Sequence, residues 1–312
     1  MKKIIGILSF LLIISFCLPA IAADPGSERI LIFAPHPDDE ALSSPGLIRK
    51  ALSRGDKVKV VLFTCGDANV SAQEALVDQH PKMAYDRDGD GDFDMLDYGI
   101  LRHDESLAGM KLVGLSPEDI IFMGYPDGGC ARIWLSETPV KSPFTLSDKV
   151  PSEYTFAYNP GNPYTRSACL TDFNKIIRDF DPTIVVSTRP TDTHGDHWSL
   201  SKFVSQSLAQ LDSELTNYKG HLGYLIHWEA NQPTWPARST EWREPTGHPD
   251  YVLEVTLSDY GLSVGEKRKI INQHFSQVLT FGDYLRSFAK RTEIFWLESL
   301  GPKGTLEEIL AW

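Results

Sequence analysis

The chain has 312 residues, 42% of them hydrophobic and 23% charged, and 42 acidic against 30 basic side chains leave a formal charge of -12 at pH 7. That balance excludes nucleic acid and anionic lipid as partners, since both are gripped through a basic face. The length is large for one domain but within the range that α/β folds reach, and the apolar share suffices for a full core.

Residues 1–22 have the form of an export signal. Lys2 and Lys3 make a short positive region, Ile4 to Pro19 is apolar, and Ala20-Ile21-Ala22 fits a small-x-small cleavage site. A retained membrane anchor is the rival reading, because the apolar run nearly reaches spanning length. Cys17 follows Phe16, where lipidation would want a small residue. Cleavage leaves residues 23–312 as one domain of a secreted or periplasmic protein, more acidic by the two lost lysines. No later run is long enough to cross a membrane. Three cysteines then remain, Cys65, Cys130 and Cys169, without C-x-x-C spacing, so at most one intramolecular bridge can form. Cys65 follows an apolar strand and is expected to be buried. Cys130 and Cys169 stand in loop-like contexts and are the pair a bridge would join.

Ile30 to Ala34 predicts a short buried strand, cut off at Pro35-His36-Pro37-Asp38-Asp39-Glu40, and Ala41 to Lys50 reads as a helix start. Lys57 to Thr64 alternates and then runs apolar, as a second strand. A polar segment from Gly66 to Asp97 precedes a helix over Tyr98 to Leu112, with Gly114 as its C-cap. Asp119 to Met123 predicts a third strand, leading into Gly124-Tyr125-Pro126-Asp127-Gly128-Gly129. The stretch 131–167 is rich in Pro, Ser, Tyr and Asn and reads as a long excursion of the kind that forms lids or binding surfaces. Cys169 to Phe180 is helical and Thr183 to Thr188 is a fourth strand. A second excursion ends at Thr193-His194-Gly195-Asp196-His197, before a helix over Ser199 to Leu211. Further strands are expected at Gly223 to His227, Tyr251 to Leu257 and near Glu293 to Trp296, with helices at about 264–275 and 283–291. Strands alternating with helices, the strands almost continuously apolar, predict an α/β fold: a Rossmann-like, mostly parallel sheet with helices on both faces.

In such sheets ligands bind beyond the carboxyl ends of the strands. Both His-rich turns lie there, His36-Pro37-Asp38-Asp39 after the first strand and His194-Gly195-Asp196-His197 after the fourth. Imidazole with carboxylate suits zinc, and a hydrolytic zinc site takes three protein ligands and leaves a place for water. Five candidate residues for three places leave two for proton transfer, the composition of a metal-assisted hydrolase. Taken singly, Asp38 and Asp39 also suit a helix N-cap, and His194 and His197 also suit an exposed loop.

The His36-Pro37-Asp38-Asp39-Glu40 turn and the His194-x-Asp196-His197 motif resemble those of the LmbE/PIG-L family, zinc-dependent deacetylases of N-acetylglucosamine-containing substrates. The likeness runs over most of the chain after the leader. Gly124 to Gly129 resembles the family's third-strand loop, Arg102-x-x-Glu105 with Ala108 its second helix, and His274-x-Ser276-Gln277 its C-terminal helix. The resemblance implies a zinc ion held by His36, Asp39 and His197, with Asp38 as general base toward its water. It implies His194 as a cation that stabilises the oxyanion or protonates the departing amine, and Arg102 and Asp127 as substrate contacts. Asp196 suits an orienting carboxylate behind His194. Glu40 has no role in this scheme. Elsewhere, His248-Pro249-Asp250 repeats the first motif without a strand before it and reads as a loop. His227 closes an apolar strand and suits a structural histidine as well as a pocket residue; His80, His103 and His221 are expected at the surface. Trp228, Trp235 and Trp242 suit either stacking on a sugar or loop packing.

A second metal site is legible in Asp86 to Asp97, which has the spacing of an EF-hand calcium loop. Asp86, Asp88 and Asp90 take the first three acidic positions, Gly91 allows the sharp turn, Asp92 follows with its backbone carbonyl, and Asp94 and Asp97 close the pattern. Asp97 stands where Glu is usual and reaches less far; an acidic solvated loop is the alternative. Calcium there would be structural, pinning the loop ahead of the helix that carries Arg102. The whole reads as an exported zinc hydrolase that removes the N-acetyl group from an N-acetylglucosamine-type sugar or conjugate, a small-molecule partner, with the oligomeric state open. A zinc amidase acting on another amide would share its catalytic residues. A non-catalytic carbohydrate-binding protein would not need Asp38 or His194 beside the metal.

Overall fold

The computed structural model describes residues 26–140, 154–228, 235, 236, 239–242, 245, 248 and 251–312. The expected leader, the middle of the first excursion, and Pro249 and Asp250 lie outside the described residues. Among those described, no helix is long and apolar enough to cross a membrane.

The strands are β1 (Arg29–Ala34), β2 (Lys57–Thr64), β3 (Ile120–Tyr125), β4 (Ile184–Thr188), β5 (Gly220–Tyr224), β6 (Leu253–Thr256) and β7 (Thr292–Leu300). They form one sheet in the order β3-β2-β1-β4-β5-β7-β6. The first five are parallel, β7 runs antiparallel to β5, and β6 antiparallel to β7. The parallel strands are apolar at their centres because both faces are covered there. Alternate residues of β1 show it. Ile30, Ile32 and Ala34 enter a core shared with α2 (Pro45–Ser53), α4 (Met95–Val113), α8 (Val264–Ile271) and α9 (Phe275–Arg286). Leu31 and Phe33 enter another, shared with α5 (Cys130–Leu135), α6 (Arg166–Phe180) and α7 (Gly195–Gln210). The order of strands reverses at β1, between β2 and β4, so the loops leaving β1 and β4 part and open a crevice between them.

Several elements differ from expectation. The polar segment holds a helix, α3 (Val70–Gln79), started by Asn69, whose side chain accepts from the Ala72 N–H. α4 begins at Met95 rather than Tyr98, because Asp94 accepts the N–H groups of Leu96 and Asp97 while Asp97 takes back that of Asp94. β5 ends at Tyr224, so His227 lies beyond it, and α9 starts well before 283 and is kinked at Phe281.

The expected Cys130–Cys169 bridge is absent: Cys65, Cys130 and Cys169 are free and buried. The loop-like contexts are in fact the helices α5 and α6, whose inner sides carry both thiols into the apolar core. His221 is buried on β5, 2.7 Å from Ser187 Oγ, and not at the surface. His103 is half-buried, stacked on Phe156, whereas His80 is exposed as expected. Trp235 and Trp242 stack on each other and give their indole N–H groups to the carbonyls of Ile226 and Thr292. They serve packing rather than sugar binding.

Candidate active site

At the end of β1 the Pro35 carbonyl accepts both the N–H and the hydroxyl of Thr64 on β2, which ends the ladder and turns the chain out of the sheet. The short helix α1 (Asp39–Ser43) follows at once, and its first residues are buried. Beyond β4, His194 serves as N-cap of α7, so that His197 falls in the first helical turn, its carbonyl tied to the Thr188 hydroxyl at 2.7 Å.

These two turns bring three donor atoms into one triangle. His36 Nδ1 lies 3.2 Å from Asp39 Oδ2, His197 Nε2 lies 3.3 Å from the same oxygen, and the two ring nitrogens are 3.3 Å apart. Bonds of zinc length in tetrahedral directions put ligand atoms ~3.3 Å from one another, so the donor set and its spacing fit that ion. Burial would raise Asp39, but His197 and His36 outweigh it and hold the carboxyl far below its usual range, the charged form a metal takes. Burial would lower His36 and His197, yet the carboxylates around them outweigh it and raise both.

The remaining ring nitrogens are held by carboxylates that no ligand role requires. His36 Nε2 sits 3.1 Å from Asp127 Oδ1 and 3.2 Å from Asp196 Oδ2. Those two carboxylates, with His36, form a second group able to hold a cation. They are already committed to backbone donors, however: Asp127 to Ala68, Asp196 to Gly128 and Cys130. This leaves them acting as acceptors for an Nε2–H and frees Nδ1 for the metal, the usual second layer around a ligating imidazole. Asp196 therefore backs His36, not His194 as expected, because the Gly128 and Cys130 N–H groups draw its carboxylate away from the α7 N-terminus. Asp127, expected to touch substrate, spends both its oxygens on the same support, although it also lines the pocket.

His197 has a counterpart that the sequence reading missed. Asp192 Oδ2 lies 3.2 Å from His197 Nδ1 and also accepts the N–H groups of Ile226 and His227, while Oδ1 accepts that of His194. An acid two residues ahead of the second motif was the available signal.

Asp38 projects into the crevice with Oδ2 held 3.2 Å from Arg102 Nη2, and burial pushes its carboxyl up to about 8 against the pull of that guanidinium. Arg102 itself is buried and gives Nη1 to the Gly66 carbonyl and Nη2 to that of Pro37, so it braces the turn as well as lining the pocket. The cationic state expected of His194 is not the one its surroundings favour. Burial, with His197 and His36 nearby, pushes it down to about 4, and its Nδ1 accepts the Asp196 N–H. With Nδ1 accepting, Nε2 is the ring nitrogen left to donate. His227 completes the cluster, its ring 4.7 Å from that of His197 and 5.2 Å from that of His194, and burial pushes it down to about 3. It is a pocket residue. The cavity has a volume of about 430 Å³, and its lining combines polar Asn69, Arg102 and Gln277 with apolar Leu42, Ile226, Phe281 and Leu285.

A family model described as PIG-L, GlcNAc-PI de-N-acetylase, matches residues 31–208, the span that holds both motifs. The chain belongs to the PIG-L family. Solved structures share the fold. Conserved protein TT1542 of Thermus thermophilus is 15% identical, covering 87% of this chain and 95% of its own, at a TM-score of 0.51. GalB, the 4-carboxy-2-hydroxymuconate hydratase of Pseudomonas putida, is 14% identical over 89% and 98%, at 0.52. The zinc-inhibited form of teicoplanin deacetylase Orf2 is 16% identical over 88% and 100%, also at 0.52. At such identities the likeness speaks for the fold alone. A protein of Bacteroides thetaiotaomicron described as glucosamine-6-phosphate deaminase-like is 34% identical over 58 residues, which is 19% of this PIG-L chain and 9% of that relative's length.

The acidic loop 86–97 is a chain of tight turns. Asp86 accepts from Gly89 and Gly91, Asp88 from Asp90, Asp90 from Asp92, and the buried Asp97 from Arg87 and Asp88. Carboxylate oxygens of Asp86, Asp88 and Asp97 lie within 4.8 Å of one another. Asp94 is occupied as the cap of α4, and Asp90 and Asp92 are exposed.

Proposed function

We propose that this PIG-L protein is a zinc-dependent N-deacetylase, removing the N-acetyl group from an N-acetylglucosamine-type sugar or conjugate. The observation that carries the reading is the 3.2–3.3 Å triangle of His36, Asp39 and His197, with Asp38 lining the same pocket as His36 and Asp39. Zinc bound there would supply a water acidified toward pKa ~7 and an electrophile for the amide oxygen. The chain's own groups do the rest. Asp38, which lines the pocket beside the ligands His36 and Asp39, takes a proton from the attacking water and returns it to the departing amine. His194 offers its Nε2–H to the oxygen on which charge develops. Asp127, Asp192 and Asp196 fix the ring orientations. The polar lining residues of the pocket suit sugar hydroxyls, and the apolar ones suit an aglycone or a longer acyl group.

The same proposal includes a structural calcium ion in the 86–97 loop, supported by the motif spacing and by the approach of three carboxylates that repel one another without a cation. It also includes export, on the strength of the leader-like residues 1–22.

The test is acetate release across a panel of N-acetyl sugars and acylated conjugates, with and without added zinc. Asp38→Asn is expected to lose ~10²–10⁴-fold in kcat and to keep its zinc. Wild-type protein with full zinc that hydrolyses no amide would sink the reading, and so would an Asp38→Asn variant of undiminished activity.

A further inference from the structure

The turn that presents Asp38 contains a second carboxylate with no part in the reaction above. Glu40 is fully buried, and its Oε2 accepts the backbone N–H of Asp38 at 2.9 Å. Its Oε1 accepts the hydroxyl of Ser106, from α4, at 2.6 Å and lies 3.5 Å from His274 Nε2, at the start of α9. Across the same peptide unit, Arg102 Nη2 donates to the Pro37 carbonyl at 2.5 Å. The Pro37–Asp38 peptide is thus held at both ends, by an acid at its N–H and by a guanidinium at its oxygen.

Asp38 needs such a hold. Its φ of 141° lies in the region that residues with a side chain avoid, and its own side chain makes no capping bond to α1. Glycine would relax the backbone there but would bring no carboxylate. Free to choose, the peptide would rotate toward an ordinary conformation and carry the Asp38 side chain away from the metal-ligand triangle. The anchoring of Glu40 is equally specific. Ser106 and His274 are both fully buried, and among the described residues neither ring nitrogen of His274 has a hydrogen-bond partner, while Glu40 Oε1 lies 3.5 Å from its Nε2.

We propose that Glu40 is a positioning residue: by clamping the Asp38 N–H it keeps the strained turn closed and the Asp38 carboxylate aimed into the pocket. This rests on the reading of Asp38 as general base. It also explains why three segments far apart in sequence each bring one polar side chain to a single buried point: the turn after β1, the middle of α4 and the start of α9.

The test compares Glu40→Leu, which has no acceptor, with Glu40→Gln, which can accept the Asp38 N–H and donate to Ser106. Misplacing a reacting group by an ångström costs on the order of a hundredfold. Glu40→Leu is therefore expected to lose about a hundredfold in kcat, with KM and zinc content unchanged, and Glu40→Gln to recover most of it. In zinc-free protein the Asp38 amide proton, shifted downfield by its carboxylate acceptor, should move upfield in Glu40→Leu and much less in Glu40→Gln. A Glu40→Leu enzyme of wild-type kcat, or an amide signal that does not move, overturns the proposal. So does a loss in which kcat, zinc content and melting temperature fall together, the mark of a merely structural role. If Glu40→Leu does not fold, Ser106→Ala decides: several-fold lower kcat at constant KM supports the clamp, and wild-type kcat refutes it. Wild-type protein that hydrolyses no amide would instead bring down the deacetylase reading, and the amide signal alone would then judge the clamp.

Discussion

Removing the Asp192 carboxylate should weaken zinc binding although no ligand is touched. Asp192 accepts four hydrogen bonds: from His194 N–H at 3.0 Å, His197 Nδ1 at 3.2 Å, Ile226 N–H at 3.1 Å and His227 N–H at 3.0 Å. In Asp192→Asn the carbonyl keeps three of them by taking the place of Oδ2, and the amide then faces the His194 N–H, donor against donor. His197 keeps its tautomer but loses the charge that makes its Nε2 a better donor to metal. In Asp192→Ala the His197 ring loses its support altogether. Losing such a partner costs ~10–100-fold in metal affinity, so about tenfold is expected for Asn and about a hundredfold for Ala, or about 1.4 and 2.7 kcal/mol. The unpaired N–H groups should cost a further ~1–3 kcal/mol each in folding stability where they stay dry. Competition against a chromophoric zinc chelator measures the affinity, with circular dichroism to confirm the fold. A folded Asp192→Ala protein whose zinc affinity lies within twofold of wild type would refute the reasoning, and with it the place of His197 among the ligands.

Two further outcomes concern regions away from the zinc ligands. His221 is buried with Ser187 as partner, and burial pushes it down to about 4. A depressed histidine binds its proton more readily when unfolded, so the stability it contributes is present above ~6.5 and lost as pH falls toward 4. The loss should approach about 3 kcal/mol, and urea midpoints of His221→Asn should fall less steeply than wild type over that window; parallel curves would contradict it. For the acidic loop, calcium at about ten times its dissociation constant should add about 1.4 kcal/mol, or roughly 2–4 °C in the midpoint of zinc-saturated protein. Asp86→Ala should abolish the shift, and a wild-type midpoint indifferent to calcium removes the ion from the proposal.

Much of the architecture was legible before any coordinates. The runs at Ile30–Ala34, Val60–Phe63 and Ile184–Val186 are apolar without interruption because each strand is covered on both sides there, and continuity of that kind is a local property of the chain. Boundaries were less legible where a cap decides them. The start of α4 depends on a reciprocal pair, Asp94 and Asp97, hidden inside an acidic run that also spells a calcium motif. α3 was overlooked because its neighbours are polar and only Ala72 and Leu76 are buried. Cys130 and Cys169 looked like bridge partners only while their segments were taken for loops.

Within the pocket, the two motifs supplied five candidate ligands at one edge of the sheet, and the resemblance to the LmbE/PIG-L family singled out His36, Asp39 and His197 among them. The alternation of strands and helices is likewise written in periodicity, and the family in the motifs that resemble it. The supporting roles emerged from the packed chain alone. Asp196 went to His36 instead of His194, Asp192 and His227 joined the site, His194 Nδ1 came to accept the Asp196 N–H, and Glu40 turned from a residue without a task into the acceptor of the Asp38 N–H. The physical reason is the range of the forces involved. A hydrogen bond or a pKa shift is set by groups within a few ångströms, and here several of those groups come from segments more than sixty residues apart, as in the bonds from Ser106 to Glu40 and from Cys130 to Asp196.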